Sequence, residues 1–178
     1  MEMQRVGQVS WSGYTRPSFL FHEVAITLQH WCERAEDGDE CGVRVEVQRL
    51  DQRESPGAQT EFAARVLQIA GPIWRGDLFT LSTGRAGNFD RAHFHPHFVG
   101  VEPCDRHWDP WLAEDPFAWL RDQLERMDTV LEEAGFADMA AGGDVARIRA
   151  SAPQIEAAAR RMMDEVERLS PNFGLPES

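Results

Sequence analysis

The sequence predicts an α+β fold, in which an antiparallel β-sheet of about five strands precedes two or three C-terminal helices packed on one face of the sheet. Apolar and polar side chains alternate in several runs within residues 1–107, which is the period of a half-buried strand. In residues 108–178 apolar side chains recur at steps of three and four, which is the helical period. The length of 178 residues fits one domain. We therefore expect a single domain over 1–178, mainly β-sheet over 1–107 and mainly helical over 108–178.

The first strands are predicted from short alternating runs. Residues 6–11 suggest a short strand, and residues 19–33 and 43–47 alternate clearly. A polar segment rich in Gly and Asp, 34–42, separates the last two. Together they predict an antiparallel hairpin.

The rest of the sheet is predicted from β-branched and aromatic content and from turn residues. The predicted elements are a loop at 51–59, a strand at 73–82, a turn at 83–87 and a strand at 89–99. The segment 62–69, ended by Gly71 and Pro72, also fits a helical stripe, but we favour a strand there because the run is short.

The helices are predicted from capping residues and apolar stripes. Asp115 followed by proline is typical of a helix start, and an apolar stripe runs from Phe117 to Ala134, with Gly135 placed as the C-cap. Asp144 predicts a short helix. The capping box 151–154 predicts a separate last helix.

The composition excludes some partners. The net charge is −12 and every basic residue is arginine, so we expect no binding of duplex nucleic acid, which needs an extended basic surface. No apolar run is long enough for a membrane span and the start lacks the apolar segment of a signal peptide, so we expect a cytoplasmic protein without membrane contact. Three cysteines are too few for a disulfide framework. Cys32 and Cys41 flank the predicted hairpin loop and could be close in space, but we expect them to be reduced.

The chemistry is concentrated in residues 88–107, which hold four of the six histidines. If 89–99 is extended, alternate side chains share a face. One face then carries Arg91, His93, His95 and His97, and the other carries Ala92, Phe94, Pro96 and Phe98. This division predicts histidines on a solvated or cleft-facing surface. Asp90 falls outside the histidine face.

The register of the hairpin between 73–82 and 89–99 decides which residues join the histidines. In one register Asp77 opposes His93 and Arg75 opposes His95, and directly opposed side chains share a face. A slip of one residue would set Asp77 against Phe94 instead. We favour the first register, because an aspartate on an apolar face would be poorly satisfied.

Three interpretations of this face remain open. His93 and His95 could be ligands of a divalent metal, with Glu102, Cys104 or His107 as a third ligand. In the second, metal-free interpretation, the catalytic acid–base set is His93, His95, Asp77 and Arg91. In the third, the residues only form ion pairs on an edge strand.

In either functional interpretation other residues would bind substrate. Arg75 is a candidate for holding an anion, and His97, His107 and Trp108 are candidates for the walls of the site. The substrate would be a small anion.

The run WRGDLFTLSTGRAGNFDRAHFHPHF, followed by Glu-Pro, Trp-Asp and a helix that starts with Asp-Pro, resembles an uncharacterised family of small bacterial proteins over residues 73–135. That family brings no known activity. The order of Asp90, His93, His95 and an amphipathic helix is similar to small ribonuclease-like toxins of toxin–antitoxin pairs. This second resemblance implies a nuclease-like activity at those three residues.

The sequence thus predicts a hydrolase or nuclease-like enzyme that acts on an anionic, phosphate-containing substrate through a strand-borne histidine cluster. The alternative is a non-catalytic binding or assembly protein. Its Trp-rich loop and C-terminal helix would then dock a protein partner.

Overall fold

The alternating segments form a five-stranded antiparallel sheet in the order β1-β2-β3-β4-β5. The computed structural model describes residues 16–35, 38–54, 65–81 and 88–169, so the strand predicted at 6–11 and the turn predicted at 83–87 lie outside the described residues. The strands are β1 (Ser18–Leu20), β2 (Val24–Ala35), β3 (Gly38–Glu54), β4 (Arg65–Leu81) and β5 (His93–His95). With helices following the sheet, the α+β prediction is confirmed.

The central strands are longer than predicted. β2 and β3 continue into the segment predicted as a polar loop at 34–42, and β3 extends to Glu54, into the loop predicted at 51–59. β4 does not end at Pro72 but passes through it. The pairing of β3 with β4 shifts register on both sides of Gln48, the residue opposite Pro72. A proline lacks the N–H that a regular ladder needs, and this irregularity accommodates it.

The two faces of the sheet differ in chemistry. One face carries the apolar side chains of the core, among them Ile26, Leu28, Val43, Val45 and Leu78. The other face carries polar and charged side chains that are also largely buried. The helices cover the apolar face, as predicted, since α5 contacts β2 and β3, and α3 contacts β4.

The helices are α1 (Pro110–Glu114), α2 (Pro116–Glu125), α3 (Met127–Glu133), α4 (Ala137–Ala140) and α5 (Asp144–Leu169). The Asp115 side chain caps α2 by accepting from the Ala118 N–H, and Gly135 has the left-handed φ of 88° expected of a C-cap residue. The single helix predicted over 115–134 is interrupted at Arg126. Its apolar stripe nevertheless stays buried across the break, at Leu124, Met127 and Leu131.

The prediction of a separate last helix starting near residue 151 is wrong. α5 is continuous from Asp144 and contains Pro153. The buried stripe Ile148, Ala152 and Ile155 runs past this proline without a break. Packing of the stripe against the core outweighs the backbone hydrogen bond that proline cannot donate.

A short two-stranded sheet follows β5, made of β6 (Phe98–Val99) and β7 (Glu102–Pro103). The prediction of one strand over 89–99 is therefore wrong at both ends, since Asp90 and Arg91 form a turn before β5 and the strand stops at His95. Pro96 cannot donate to the ladder and follows directly, so the strand ends there.

Cys32 and Cys41 are joined by a disulfide, contrary to the expectation of reduced thiols. They oppose each other directly in β2 and β3, which brings the two sulfur atoms within bonding reach. The hairpin register, which the sequence did not supply, decides this pairing. Disulfides persist mainly in oxidising compartments, so the cytoplasmic location stays a prediction that this bond does not support.

Asp144 fastens the start of α5 to the turn before β2. Its buried carboxylate accepts backbone N–H groups from His22 at 3.0 Å, Glu23 at 2.7 Å and Val24 at 3.2 Å. Hydrogen bonds to a charged acceptor are among the stronger ones in proteins. This one side chain therefore links the helical layer to the edge of the sheet.

We expect Asp144→Ala to lower the free energy of unfolding by about 2–4 kcal/mol, because it leaves three backbone donors without this acceptor. Urea titration followed by circular dichroism would measure the loss. The matched control is Asp138→Ala, which removes an exposed acid from the first turn of α4. Equal losses in the two variants would contradict the role given to Asp144.

Candidate functional site

The candidate site lies on the polar face of the sheet, where β3, β4 and β5 run side by side. Asp77 pairs with His93 and Arg75 pairs with His95, so the register favoured from the sequence is confirmed. Arg44 of β3 pairs with Asp77 from the other side. Because directly opposed residues share a face, Arg44, Asp77 and His93 form a row across three strands.

Asp77, His93 and His95, which we call the triad, converge on a small volume. The Asp77 Oδ2 lies 3.4 Å from the His93 Nε2 and 3.8 Å from the His95 Nε2. One ligand atom from each of the three residues falls within 4.8 Å of the others. Asp77, His93 and His95 are 0%, 1% and 6% exposed. Of the two alternatives predicted for the histidine face, the solvated one is therefore wrong, because the second face of the sheet is buried around the triad.

The other nitrogen of each histidine is held by a backbone carbonyl. The His93 Nδ1 lies 2.9 Å from the Arg91 oxygen, and the His95 Nδ1 lies 2.6 Å from the Cys104 oxygen. A carbonyl can only accept, so each Nδ1 carries a proton and donates it. This fixes the rings so that both Nε2 atoms face the Asp77 carboxylate.

Arg44 holds the Asp77 carboxylate with two hydrogen bonds. Its Nε donates to Oδ1 at 2.7 Å and its Nη2 donates to Oδ2 at 3.1 Å. The guanidinium also lies 3.9 Å from the centre of the Trp31 ring, a cation–π contact. The alternation of β3 had indicated a half-solvated strand, so sequence reasoning missed Arg44. Only the β3–β4 register would have revealed it.

These contacts set the charges of the triad. Burial alone would raise the pKa of Asp77, but hydrogen bonds from His93 and Arg44 outweigh burial and lower the pKa of that carboxyl. Burial lowers the pKa of His95 below its usual value, although the Cys104 carbonyl and Asp77 act in the opposite direction. Asp77 is thus ionised and His95 neutral at pH 7.

The predicted arginines lie beside the triad in ion pairs. The Arg75 Nη2 is 2.6 Å from the Glu46 Oε1, and Arg75 opposes His95. The Arg91 Nη1 is 3.9 Å from the buried Glu40. The contact between Arg91 and His93 is made by the Arg91 backbone oxygen, which accepts from the His93 Nδ1. Neither glutamate had been singled out in the sequence.

Two histidines predicted to line the site lie elsewhere. His97 follows the end of β5 and is exposed. His107 bridges Phe94 through the backbone, with the two rings 5.5 Å apart, which puts it on the opposite face. Trp108, the next residue, does approach the site, since its ring lies 5.4 Å from the His93 ring.

Several other sequence-based assignments change. Phe98 was expected on the apolar face, but its ring lies 5.1 Å from the Arg75 guanidinium. Among the candidates for a third ligand, Glu102 is exposed, and Cys104 contributes its carbonyl to His95 while its thiol donates to the Asp105 oxygen. The carboxylate that joins the histidines is Asp77.

Comparison with protein-family models, with curated proteins and with solved structures found no match. The two resemblances suggested by the sequence therefore stay expectations. Asp90, required by the toxin-like pattern, is exposed and does not join the triad, as predicted. It lies in a turn before β5 and not in the strand in which it was expected. Among the described helices, none has the length and apolar character needed to cross a bilayer.

We expect Asp77→Asn to destabilise the protein by about 3–5 kcal/mol at pH 7, because Arg44 would stay buried after losing its countercharge. Chemical denaturation in the presence of EDTA would measure this. The control is Asp51→Asn, which removes a more exposed carboxylate 3.9 Å from Arg53, and which should cost less than about 1 kcal/mol.

The stability of the wild type and of Asp77→Asn can also be compared as a function of pH. The lowered pKa of Asp77 stabilises the fold fully above the ordinary aspartate value of about 4, and this contribution is lost as the pH falls through the folded-state pKa. The stability gap between wild type and Asp77→Asn should therefore shrink in acid. A gap that stays constant down to the acid transition would contradict the ionised state assigned to Asp77.

Proposed function

We propose that this chain is a divalent-metal-dependent enzyme of the hydrolase type that acts on an anionic, phosphate-containing substrate, with Asp77, His93 and His95 as the metal ligands. One observation carries the proposal. The two Nε2 atoms converge on a single carboxylate oxygen, while both Nδ1 atoms are held by backbone carbonyls. Histidine ligands of metals are commonly fixed through the other ring nitrogen in this way.

The same geometry argues against metal-free acid–base catalysis. A general base needs a nitrogen lone pair that points towards the substrate. In His93 and His95 one nitrogen donates to a carbonyl and the other faces Asp77. No ring nitrogen of the pair is therefore directed away from the triad. A cation among the three ligand atoms would take the place of the His93 Nε2 proton that faces Asp77 and would be held by both Nε2 atoms.

The donor set suits a first-row transition metal. Two imidazoles and one carboxylate leave coordination positions open, and a metal held in this way polarises a substrate oxygen and lowers the pKa of bound water. Arg44 orients the carboxylate that would coordinate the metal. Its shorter hydrogen bond goes to Oδ1, so Oδ2 keeps a lone pair on the side of the histidines.

Arg75 is the residue we assign to the anionic group of the substrate. It opposes His95 in the neighbouring strand, and its side chain is 16% exposed. The Arg75 Nε and Nη2 hold Glu46 at 2.8 Å and 2.6 Å, so a phosphate or carboxylate group would bind at the other edge of the guanidinium. Trp108, which is 55% exposed and contacts His93, would form the solvent side of the site.

We expect the EDTA-treated full chain to bind one Zn²⁺, Mn²⁺ or Fe²⁺ per molecule. His93→Ala and His95→Ala should each weaken the affinity at least about 100-fold, since each removes a ligand. Isothermal titration calorimetry measures stoichiometry and affinity, and the metal-induced rise in Tm gives a second readout.

The matched controls for this experiment are His97→Ala and His107→Ala, which remove histidines outside the triad. Both should bind metal as the wild type does. Unchanged affinity in all four variants would mean that the ion binds somewhere else on the acidic surface, and lack of binding by the wild type would refute the metal assignment.

We expect the metal-loaded protein to hydrolyse bis(4-nitrophenyl) phosphate, a probe for phosphodiester cleavage, and to lose this activity in His95→Ala. Arg75→Gln should raise KM about tenfold with a smaller change in kcat, because it removes a bidentate anion contact. The control is Arg53→Gln, at an arginine that is 66% exposed and outside the site. Metal binding without turnover would support the metal site but contradict the assignment of phosphodiester hydrolysis.

A second candidate function is the docking of a protein partner. The segment from Val99 to Trp111 carries four exposed large apolar side chains, at Val99, Val101, Trp108 and Trp111. Exposed apolar clusters of this kind mark interaction surfaces. This function would be favoured over a metal enzyme if the triad bound no metal. The buried triad and Arg44 would then serve only to hold β3, β4 and β5 together.

A further inference from the structure

A second site lies on the other face of β5. The side chains of His93 and His95 face the triad, but Phe94 between them points to the helical layer. There a cavity of about 150 Å³ opens between the edge of the sheet and helices α1 to α3. This cavity shares no lining residue with the triad.

Aromatic rings form the inner wall of the cavity. Trp119 stacks on Trp74 with ring centres 5.8 Å apart, and Phe94 lies 5.2 Å from Trp119. Trp111 of α1 lines the cavity from the solvent side and is 42% exposed. The faces of such rings carry negative electrostatic potential, which attracts cations.

Carboxylates form the polar part of the wall. Asp109, Asp122 and Glu133 line the cavity together with one cation, Arg126, which leaves an excess of two formal negative charges. The Arg126 Nε lies 3.9 Å from the Asp122 Oδ2. The carboxylates therefore exceed the one guanidinium available to balance them.

Asp109 also determines which part of the Trp119 indole a ligand can contact. Its Oδ2 accepts the Trp119 Nε1–H at 3.0 Å and its Oδ1 accepts the Trp111 backbone N–H at 2.9 Å. The polar edge of Trp119 is thus used within the protein. The rest of the wall consists of ring surfaces, carboxylates in excess of the one guanidinium, and the Gln123 amide. The net negative charge beside aromatic rings favours a weakly hydrated cation over an anion.

We propose that this cavity binds a small organic cation of the alkylated ammonium class. A cavity of 150 Å³ is the size that holds one benzene molecule in a protein interior, and a trimethylammonium headgroup has fewer heavy atoms. The rings contact its methyl groups, and the carboxylates supply the charge. The proposal is independent of any metal at the triad.

The test compares two probes of nearly the same shape. Choline is the cation, and 3,3-dimethylbutan-1-ol is its neutral isostere, with carbon in place of the charged nitrogen. Each is titrated into the full chain labelled with ¹⁵N-tryptophan at constant ionic strength, and the indole N–H signal of Trp119 is followed. We expect saturable binding of choline in the millimolar range, and binding of the neutral isostere at least about tenfold weaker.

Two variants locate the site, and one serves as a control. Trp111→Leu removes an exposed ring and should weaken choline binding at least about fivefold. Glu133→Gln should weaken it about threefold. Glu132→Gln changes the neighbouring exposed acid, which does not line the cavity, and should leave the affinity unchanged. Circular dichroism melts show whether each variant is folded.

Three outcomes would overturn the proposal. Equal binding of choline and its neutral isostere would mean that the cavity is only an apolar pocket. Equal effects of Glu133→Gln and Glu132→Gln would mean that the general acidic surface attracts the cation. A Trp119 signal that does not saturate with choline would mean that the cavity does not take this class of ligand.

Discussion

The cross-strand register of β3, β4 and β5 is the constraint on which the rest of this structure depends. Because β4 pairs with both neighbours in register at Asp77, Arg44 and His93 meet the same carboxylate from opposite sides. A slip of one residue between any two of these strands would send one partner to the other face. The core would then receive a charged side chain, and the triad would lose a member. The register and the buried network therefore specify each other.

The triad could be predicted from sequence because it depends on local alternation and one hairpin. His93 and His95 share a face in any extended chain, and the poor environment of an aspartate beside Phe94 was enough to favour the correct register with Asp77. The predicted position of His97 on the histidine face is wrong because Pro96 ends the strand. The sequence indicates this strand end, since a proline cannot donate to a central ladder.

Residues that depend on pairings distant in the chain could not be predicted. Arg44 looked like one of several polar residues on a half-solvated strand, and only the β3–β4 pairing places it against Asp77. Cys32 and Cys41 are a different case, because they are nine residues apart and flank the predicted hairpin loop. Their proximity was expected, but only the register of the β2–β3 ladder sets them directly opposite each other. Alternation reports which residues share a face of one strand. It does not report whether that face is covered, and both faces of this sheet are.

The energetics of the buried network favour a role beyond stability. Transferring an arginine, an aspartate and two histidines out of water costs more than burying apolar residues of similar volume, and apolar replacements of buried ion pairs are often neutral or stabilising. The opposite face of the same strands carries apolar residues such as Val43 and Leu78, whose burial has no comparable desolvation cost. A sheet that needed only to fold could use that composition on both faces. Arg44 and the two backbone carbonyls fix the triad with its ligand atoms converging, and this arrangement has a physical purpose if the triad binds a cation.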